Sequence, residues 1–488
     1  MRPGARGNEA GRPAPVVSSG IVSSSDFVVL GGGIAGLTIA REIARSGRSV
    51  TVVERGAEVG GLARTVRRDG FSWDLGGHRF HSNNPHVVRW LEELIGGDLL
   101  RVERRSRILL RGRFIDYPIR LGQATWAFGA ANALRGAASY AAAAVVNHRA
   151  QAITFEDWVT RRFGRVLYET YFKPYTEKIW GISCDELSAD WAAQRIGVPS
   201  LMKTVRNAVL PPKAAPATAV REFHYPRTGY GAIADRLADV ITREGQPILT
   251  SSSVAAIRFD GDGAEVDVSA DGAAGTRTFG CGRVISTVPL DALFGALAHE
   301  PDVASTAADA RLAYRGIVLV LLALDAGRVS PDSWTYFPEP DVLFGRSHEP
   351  KNFSPAMVPH GGVTSLALEV FASPGEAAWA SGDRDLADRA VDDLERVGWL
   401  RRGSVLRADV LRVPCAYPVH DLGYAERMAR VRRVLARWPR LTILGRTGAF
   451  AYRNVDGIVE DCFHLAAELG IQQTPGVQPL RVDEGRWV

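Results

Sequence analysis

The chain has 488 residues, 46% of them hydrophobic and 23% charged, with a formal net charge of +5. That length exceeds a single hydrophobic core and implies two or three domains, and the composition excludes a fibrous or wholly disordered chain. The positive excess is mostly arginine spread along the chain, and no basic helix interleaves with stacking aromatics, which argues against nucleic acid and for a small polyanionic partner.

Residues 1–25 are rich in Gly, Pro, Ser and Arg without an apolar segment, and read as a disordered tail. From residue 26 the run DFVVLGGGIAGLTIAREIARSGRSVTVVER predicts a strand at 27–30, a glycine turn, a helix over 34–46 and a second apolar strand ending at Glu54. Gly31, Gly33 and Gly36 take the G-x-G-x-x-G spacing of a βαβ unit, in which a pyrophosphate approaches the backbone closely and rests on the helix N-terminus. Glu54 lies where a carboxylate accepts hydrogen bonds from a ribose diol.

A second glycine pair follows in EVGGLARTVRRDGFSWDLGGHRFH (58–81), which carries Gly61, Arg64, Gly77 and the His78–His81 pair. That pair has no cysteine or third ligand nearby, so a metal site is not expected; it reads either as ordinary structural histidine or as a lining for the cofactor domain. Residues 91–224 predict a mostly helical insertion. Within it, alanine-rich 122–147 reads as buried helices and not a membrane span, because alanine is weakly apolar and Gln123 and Arg135 interrupt it. The segment YFKPYTEKIWGISCDELSADWAAQR (171–195) concentrates aromatic and basic residues around a Trp-Gly turn, and PPKAAPATAV (211–220) has loop composition.

Residues 225–304 predict a helix at 231–243, strands around 248–270 and a buried strand at 284–290. Residues 305–437 read as mainly β, with apolar strands at 318–325 and 364–371, and with WTYFPEPDVLFGRSHEPKNFSP (334–355) as either an aromatic sheet edge or a binding segment. Residues 438–475 close the chain's pattern with a strand at 441–444, a glycine turn and a helix over about 456–469. The expected fold is therefore α/β: a discontinuous Rossmann-like domain (26–90, 225–304, 438–475), a helical insertion (91–224) and a strand-rich substrate domain (305–437). Cysteines 184, 281, 415 and 462 show neither CxxC nor Cys/His spacing, which disfavours a zinc site or disulfide framework and fits a reducing cytoplasm. No hydrolytic triad or phosphate-binding Walker loop is legible, so the chemistry is assigned to a bound cofactor.

Two resemblances sharpen this reading. GG-L-A-R at 60–64 resembles the second half of the FAD signature in the glutathione-reductase and amine-oxidase superfamily, where the arginine contacts the cofactor. LTILGRTGAFAYRNVDG, with Gly445, Arg446 and Asp456, resembles that superfamily's closing element, which implies FAD and not NAD as the tightly bound cofactor. Six motifs in order are similar to UDP-galactopyranose mutases: GGHRFH, DYPIRL (116–121), YTEKIWG with its following arginine, FHYPRTGYGAI (223–233), WTYFPEPDVLFGR and GRTGAFAYRNVD. The resemblance implies a reduced flavin whose N5 forms an adduct with the anomeric carbon of a UDP-sugar, so that the pyranose ring opens and recloses as furanose with no net oxidation. NAD(P)H is the implied reductant, and a homo-oligomer is the implied assembly.

It further implies Arg195 and Arg346 at the diphosphate, since guanidinium pairs bidentately with phosphate and offsets leaving-group charge. Tyr175, Trp180, Tyr336, Tyr417 and Tyr452 would bind base and sugar, with Trp180 closing over the base, and Asn454 would bond sugar or phosphate. His78 and His81 would lie beside the flavin and favour its reduced, anionic form. Phe450 and Asn454 stand where bacterial members often carry tyrosine and an acidic residue, which leaves the sugar open. The alternative is an oxidoreductase or desaturase like the amine and protoporphyrinogen oxidases, with an apolar substrate tunnel and oxygen consumption; a third is a protein whose flavin is only structural.

Overall fold

The protein is described by a computed structural model covering residues 22–117, 130–145, 152–195, 222–273, 275–310 and 312–471. The leading strand Ser23–Leu30 lies at the middle of a seven-stranded sheet, parallel to Val50–Val53 on one side and to Thr276–Ser286 on the other. Gly263–Ala270 and Ser252–Asp260 extend it antiparallel, Ile248–Leu249 pairs with Val50–Val53, and Leu441–Ile443 pairs in parallel with Thr276–Ser286. Sequence-distant strands share this sheet between two cores, Val29, Val52 and Ile285 facing the one that contains helix Ile34–Arg45 and Val28, Val266 and Val284 facing the other.

Helix Ile34–Arg45 is buried along almost its whole length. It packs against helices Val455–Glu468 and Ala232–Arg243, both close to the expected bounds. Helix Tyr424–Leu435 buries Tyr424, Met428, Val431 and Leu435 in a core shared with Val28, Leu30 and Leu293. It therefore packs with the first sheet, although the sequence reading grouped it with the strand-rich domain.

The second sheet runs Val405–Pro418, Tyr314–Leu324, Thr364–Val370, Arg346–His348, Trp334–Tyr336, Ser106–Leu110 and Arg113–Asp116. Its second strand, Tyr314–Leu324, is buried on both faces. Val318, Val320, Leu322 and Leu324 point to one core with Leu386, Ala390 and Leu394, while Leu319, Leu321 and Ala323 point to another with Phe71, Trp73 and Leu75. That division is the period-2 alternation of a strand covered on both sides. The strands at 106–116 correct the expectation that residues 91–224 are a helical insertion: Ser106–Leu110 pairs in parallel with Trp334–Tyr336 and belongs to this sheet.

The helical part between them contains Ala130–Val145, Phe155–Phe163, Lys173–Trp180 and Ala189–Arg195, with a π-helical turn at Tyr168–Phe172. Thr154 caps the second of these by accepting from Asp157 N–H. Helix Lys173–Trp180 ends at left-handed Gly181 (φ 68°), where a Cβ would lie 2.7 Å from Arg315 Nη1. Buried Arg315 donates to the carbonyls of Ile179 (2.6 Å) and Phe371 (2.6 Å), fixing the helix end on the second sheet. The expected burial of the alanine-rich stretch is corrected where it is described: most of residues 134–142 are exposed, with Leu134 73% accessible, because small alanines give that face too little area to bury. Residues 122–129 and 211–220 lie outside the described residues.

Candidate functional site

The glycine turn after Ser23–Leu30 is closed on its protein side and open at the helix end. A Cβ on Gly36 would sit 1.9 Å from the Gly31 carbonyl oxygen, whereas one on Gly33 would meet no atom within 4 Å. Gly31 itself has φ +102°, a backbone region that suits glycine. Helix Ile34–Arg45 has no acidic residue in its first turn and no side-chain cap at Gly33, so its partly positive end is left for an anion. The second glycine pair packs on this turn: Gly60 N–H donates to Gly32 O at 2.7 Å, and a Cβ on Gly61 would lie 3.2 Å from Gly33 Cα. Arg64 leaves the short Gly61–Ala63 helix in extended conformation. Glu54 accepts from Gly32 N–H and Gly56 N–H, each at 2.6 Å, and keeps lone pairs for ribose hydroxyls. This cradle fits the pyrophosphate and ribose of a dinucleotide such as FAD.

At the far end, Gly445 (φ +82°) packs the Gly-Arg turn on helix Ile34–Arg45 so closely that an added Cβ would lie 2.8 Å from Ala35 Cβ. Arg446 is held by Nε and Nη2 on the Arg453 carbonyl, at 2.9 and 2.7 Å. Its guanidinium lies over the rings of Tyr417 (5.3 Å) and Tyr452 (5.5 Å), which stack on each other at 5.6 Å. Asn454 precedes helix Val455–Glu468 without a side-chain capping bond, and burial raises the Asp456 carboxyl in the helix's first turn.

The second sheet delivers the other half. Tyr336, Arg346 and Glu369 are direct cross-strand neighbours on three adjacent strands, so their side chains share one face. Glu369 is fully buried and forms a two-bond ion pair with Arg346, whose Nε lies 2.8 Å from Oε1 and whose Nη2 bonds Oε2. Arg346 Nη2 also reaches the Tyr417 hydroxyl at 3.3 Å, and Gly77 N–H donates to Glu369 Oε1 at 3.2 Å. One carboxylate therefore connects the arginine to the histidine-bearing loop. Burial acts to lower the Arg346 guanidinium, but Glu369, Tyr417 and Tyr175 together hold the group well above its ordinary range.

Tyr336 accepts from Trp334 Nε1 at 2.8 Å, and its ring meets Tyr175 edge-on at 5.8 Å and Tyr117 at 5.5 Å. Trp180 is 3% exposed and packed against Trp191, Tyr417 and Tyr452, so its ring supports the tyrosines and does not offer a face to a base. Lys178 and Glu177 act on the frame: Lys178 Nζ donates to the carbonyls of Phe337, Glu339 and Phe344, and Glu177 accepts from Cys184 N–H.

His78 Nδ1 is buried without a hydrogen-bond partner, which fits a group supplied by a cofactor. Burial first, then the Arg446 and Arg346 charges, lower His78 to about 3 against the opposing Glu369, so the imidazole is neutral at neutral pH. The positive charge near His78 belongs to Arg446 and Arg346. His81 is also lowered, by burial and Arg79, with Asp456 opposing.

Comparison with known proteins places this geometry. The family model for flavin-containing amine oxidoreductases matches residues 34–418, well over half the chain. The chain belongs to that family. Membership implies FAD, which the glycine cradle fits, and makes the protein a flavin enzyme of the oxidoreductase superfamily. The crystal structure of a reduced UDP-galactopyranose mutase superposes with a TM-score of 0.77 at 21% identity, covering 92% of this chain and 96% of that one. A putrescine oxidase superposes with a TM-score of 0.63 at 16% identity, covering 92% and 100%. The Klebsiella pneumoniae protein named probable UDP-galactopyranose mutase is 26% identical over 34% of this chain and 44% of its own length. The coproporphyrinogen III oxidase of Propionibacterium freudenreichii is 29% identical over 36% and 37%. The matches thus span under half the length of these curated relatives.

The fold brings Tyr175, Tyr336, Arg346, Tyr417, Arg446 and Tyr452 into one connected group, and the loop carrying His78 joins it through Gly77 N–H on Glu369. Arg195 ends helix Ala189–Arg195, and its side chain lies outside the described residues. Sequence reasoning missed Glu369, whose signal was a lone carboxylate inside the apolar strand TSLALEV. It also missed Tyr230, stacked on His78 at 5.0 Å, and Trp334, covered by the guanidinium groups of Arg79 and Arg104. Among the described residues no group of His, Cys, Asp or Glu could hold a metal ion, and no helix is long and apolar enough to cross a membrane.

Proposed function

We propose that the protein is a flavin-dependent mutase that interconverts the pyranose and furanose forms of a nucleotide sugar, with UDP-sugars the first candidates. The observation that carries this reading is the pair Arg346 and Arg446, both bordering Tyr417 and both anchored by two donors on one side. Such a site attracts a dianionic diphosphate and repels the cationic amine of an amine-oxidase substrate. Arg346, joined by Arg195, holds the diphosphate and offsets the charge of the leaving group; Tyr175, Tyr336, Tyr417 and Tyr452 line base and sugar; Asn454 bonds a sugar hydroxyl. Reduced flavin, with NAD(P)H as its reductant, would supply the nucleophilic electron pair at the anomeric carbon, and the arginines would hold the diphosphate that leaves and, by returning to that carbon, releases the cofactor unchanged. Glu54, Arg64, Gly77 and Asp456 hold the cofactor, and neutral His78 offers it a hydrogen bond without a charge.

A second reading is an oxidase of a polycarboxylate such as a porphyrinogen, favoured by the same arginines, which suit carboxylates as well as phosphates. Incubating dithionite-reduced protein anaerobically with UDP-, GDP- and dTDP-sugars separates the two. A chromatographically new isomer of unchanged mass supports the mutase. No isomer with any sugar, together with oxygen uptake on a porphyrinogen or amine, establishes the oxidase instead.

A further inference from the structure

His78 is preceded by Gly76 and Gly77, so its own backbone does little to fix its ring. The support comes from another segment. The Tyr230 ring, 1% exposed, lies under the imidazole at a centroid separation of 5.0 Å and an interplanar angle of 17°. The Tyr230 hydroxyl donates to the Arg79 carbonyl at 3.3 Å, gripping the residue after His78.

Tyr230 is itself held from below by Asp74, a carboxylate 1% exposed at the end of strand Phe71–Asp74. Asp74 Oδ1 accepts from Tyr230 N–H (3.0 Å) and Thr65 Oγ1–H (2.6 Å), and Oδ2 accepts from Tyr225 O–H (2.6 Å). Thr65 Oγ1 in turn accepts from Gly231 N–H at 2.8 Å. Added Cβ atoms on Gly229 or Gly231 would lie 2.5 and 2.6 Å from Thr65, so the turn carrying Tyr230 is pressed onto this strand pair. Asp74 thus anchors both the start of the histidine loop and the ring that supports it.

We propose that Tyr230, held by Asp74, is a positioning residue that fixes the His78 imidazole against the cofactor. This rests on His78 lying beside the flavin and not on which substrate the site takes. All of the partners that tie Tyr230 in place are donors to Asp74 or acceptors from Tyr230, which is the arrangement of an ionised, acceptor-only carboxylate. Burial raises the Asp74 carboxyl to about 6, and the three hydrogen bonds oppose that rise in part, so the carboxylate is ionised at neutral pH.

The test is the midpoint potential of the bound flavin in the purified holoprotein. His78→Ala shifts it, and Tyr230→Met shifts it by about tenfold in the reduction equilibrium, about 30 mV for a two-electron couple. Tyr230→Phe, which keeps the ring, retains the wild-type potential. In the His78→Ala background Tyr230→Met adds nothing, because it acts through that ring. Should Tyr230→Met not fold, isosteric Asp74→Asn carries the same comparison, with a smaller shift that also vanishes without His78. An unchanged potential in Tyr230→Met, or an equal shift with and without His78, overturns the role of Tyr230. An unchanged potential in His78→Ala shows instead that His78 is not beside the cofactor, and removes the inference with it.

Discussion

Arg346 and Glu369 face each other across adjacent antiparallel strands, and the carboxylate that binds the arginine also binds the backbone N–H of Gly77. A single buried acid therefore sets the position of the Arg346 guanidinium relative to the loop that carries His78. Glu369→Ala leaves a mostly buried guanidinium without its counter-charge and is expected to cost ~3–5 kcal/mol of stability, read from urea unfolding. Glu369→Gln keeps an acceptor and costs less. Arg346→Lys keeps the charge but loses the planar fork, and should weaken UDP binding about tenfold by titration calorimetry. Unchanged UDP affinity in that variant contradicts the placement of the diphosphate.

Acid sensitivity follows from three histidines. Burial holds His78 and His348 down at about 3 and His420 at about 4, whereas each titrates near its ordinary value once unfolded. Each contributes stability that is complete above the ordinary value and falls, by up to about 1.4 kcal/mol per pH unit, as pH drops toward the folded value. Asp74, raised to about 6 by burial, opposes this between its folded and ordinary values, so the comparison with a variant is the informative one. His348→Asn should flatten the dependence of the urea midpoint between pH 7 and 5 by one proton's worth, and an unchanged slope counts against a buried neutral His348.

The cradle permits a sharper substitution. Gly36→Ala places a methyl group 1.9 Å from the Gly31 carbonyl oxygen and should yield protein without flavin, seen as loss of the absorbance near 450 nm relative to that at 280 nm, an expected flavin band. Gly97→Ala, at a position with no atom within 4 Å, is the control and should retain the yellow colour.

Gly181→Ala forces a side chain into a left-handed position against Arg315 Nη1, 2.7 Å away. The expected cost is ~1–3 kcal/mol in thermal unfolding, with the Ile179–Arg315 clamp loosened. A neutral substitution contradicts the view that this arginine fixes the aromatic helix on the second sheet.

Much of the cofactor cradle was legible because ligand and backbone impose it together: Gly36 has to leave room for a carbonyl, and Glu54 has to end its strand. The strand Tyr314–Leu324 was legible because both faces are buried and its sequence is apolar throughout. The hairpin at 106–116 was harder to assign. Its turn uses Arg111 and Gly112, both at positive φ, without the Asn-Gly signature, and its other partner is the distant strand Trp334–Tyr336. Glu369 was missed because a charged residue inside an apolar run acquires meaning only from its cross-strand neighbour Arg346. Tyr230 was missed because its role depends on a stacking partner far away in sequence, His78. The surroundings of Trp180 were not legible because aromatic composition does not distinguish a ring facing a ligand from one wedged among Trp191, Tyr417 and Tyr452.

The central claim is that the flavin is used catalytically and recovered without net electron transfer to substrate. Reducing the holoprotein once with stoichiometric dithionite under argon, removing the excess, and counting furanose formed from a UDP-pyranose tests this directly. The account predicts many product molecules per reduced flavin, with the flavin still reduced at the end. One product per flavin with reoxidation, or turnover only when oxygen is admitted, would contradict it.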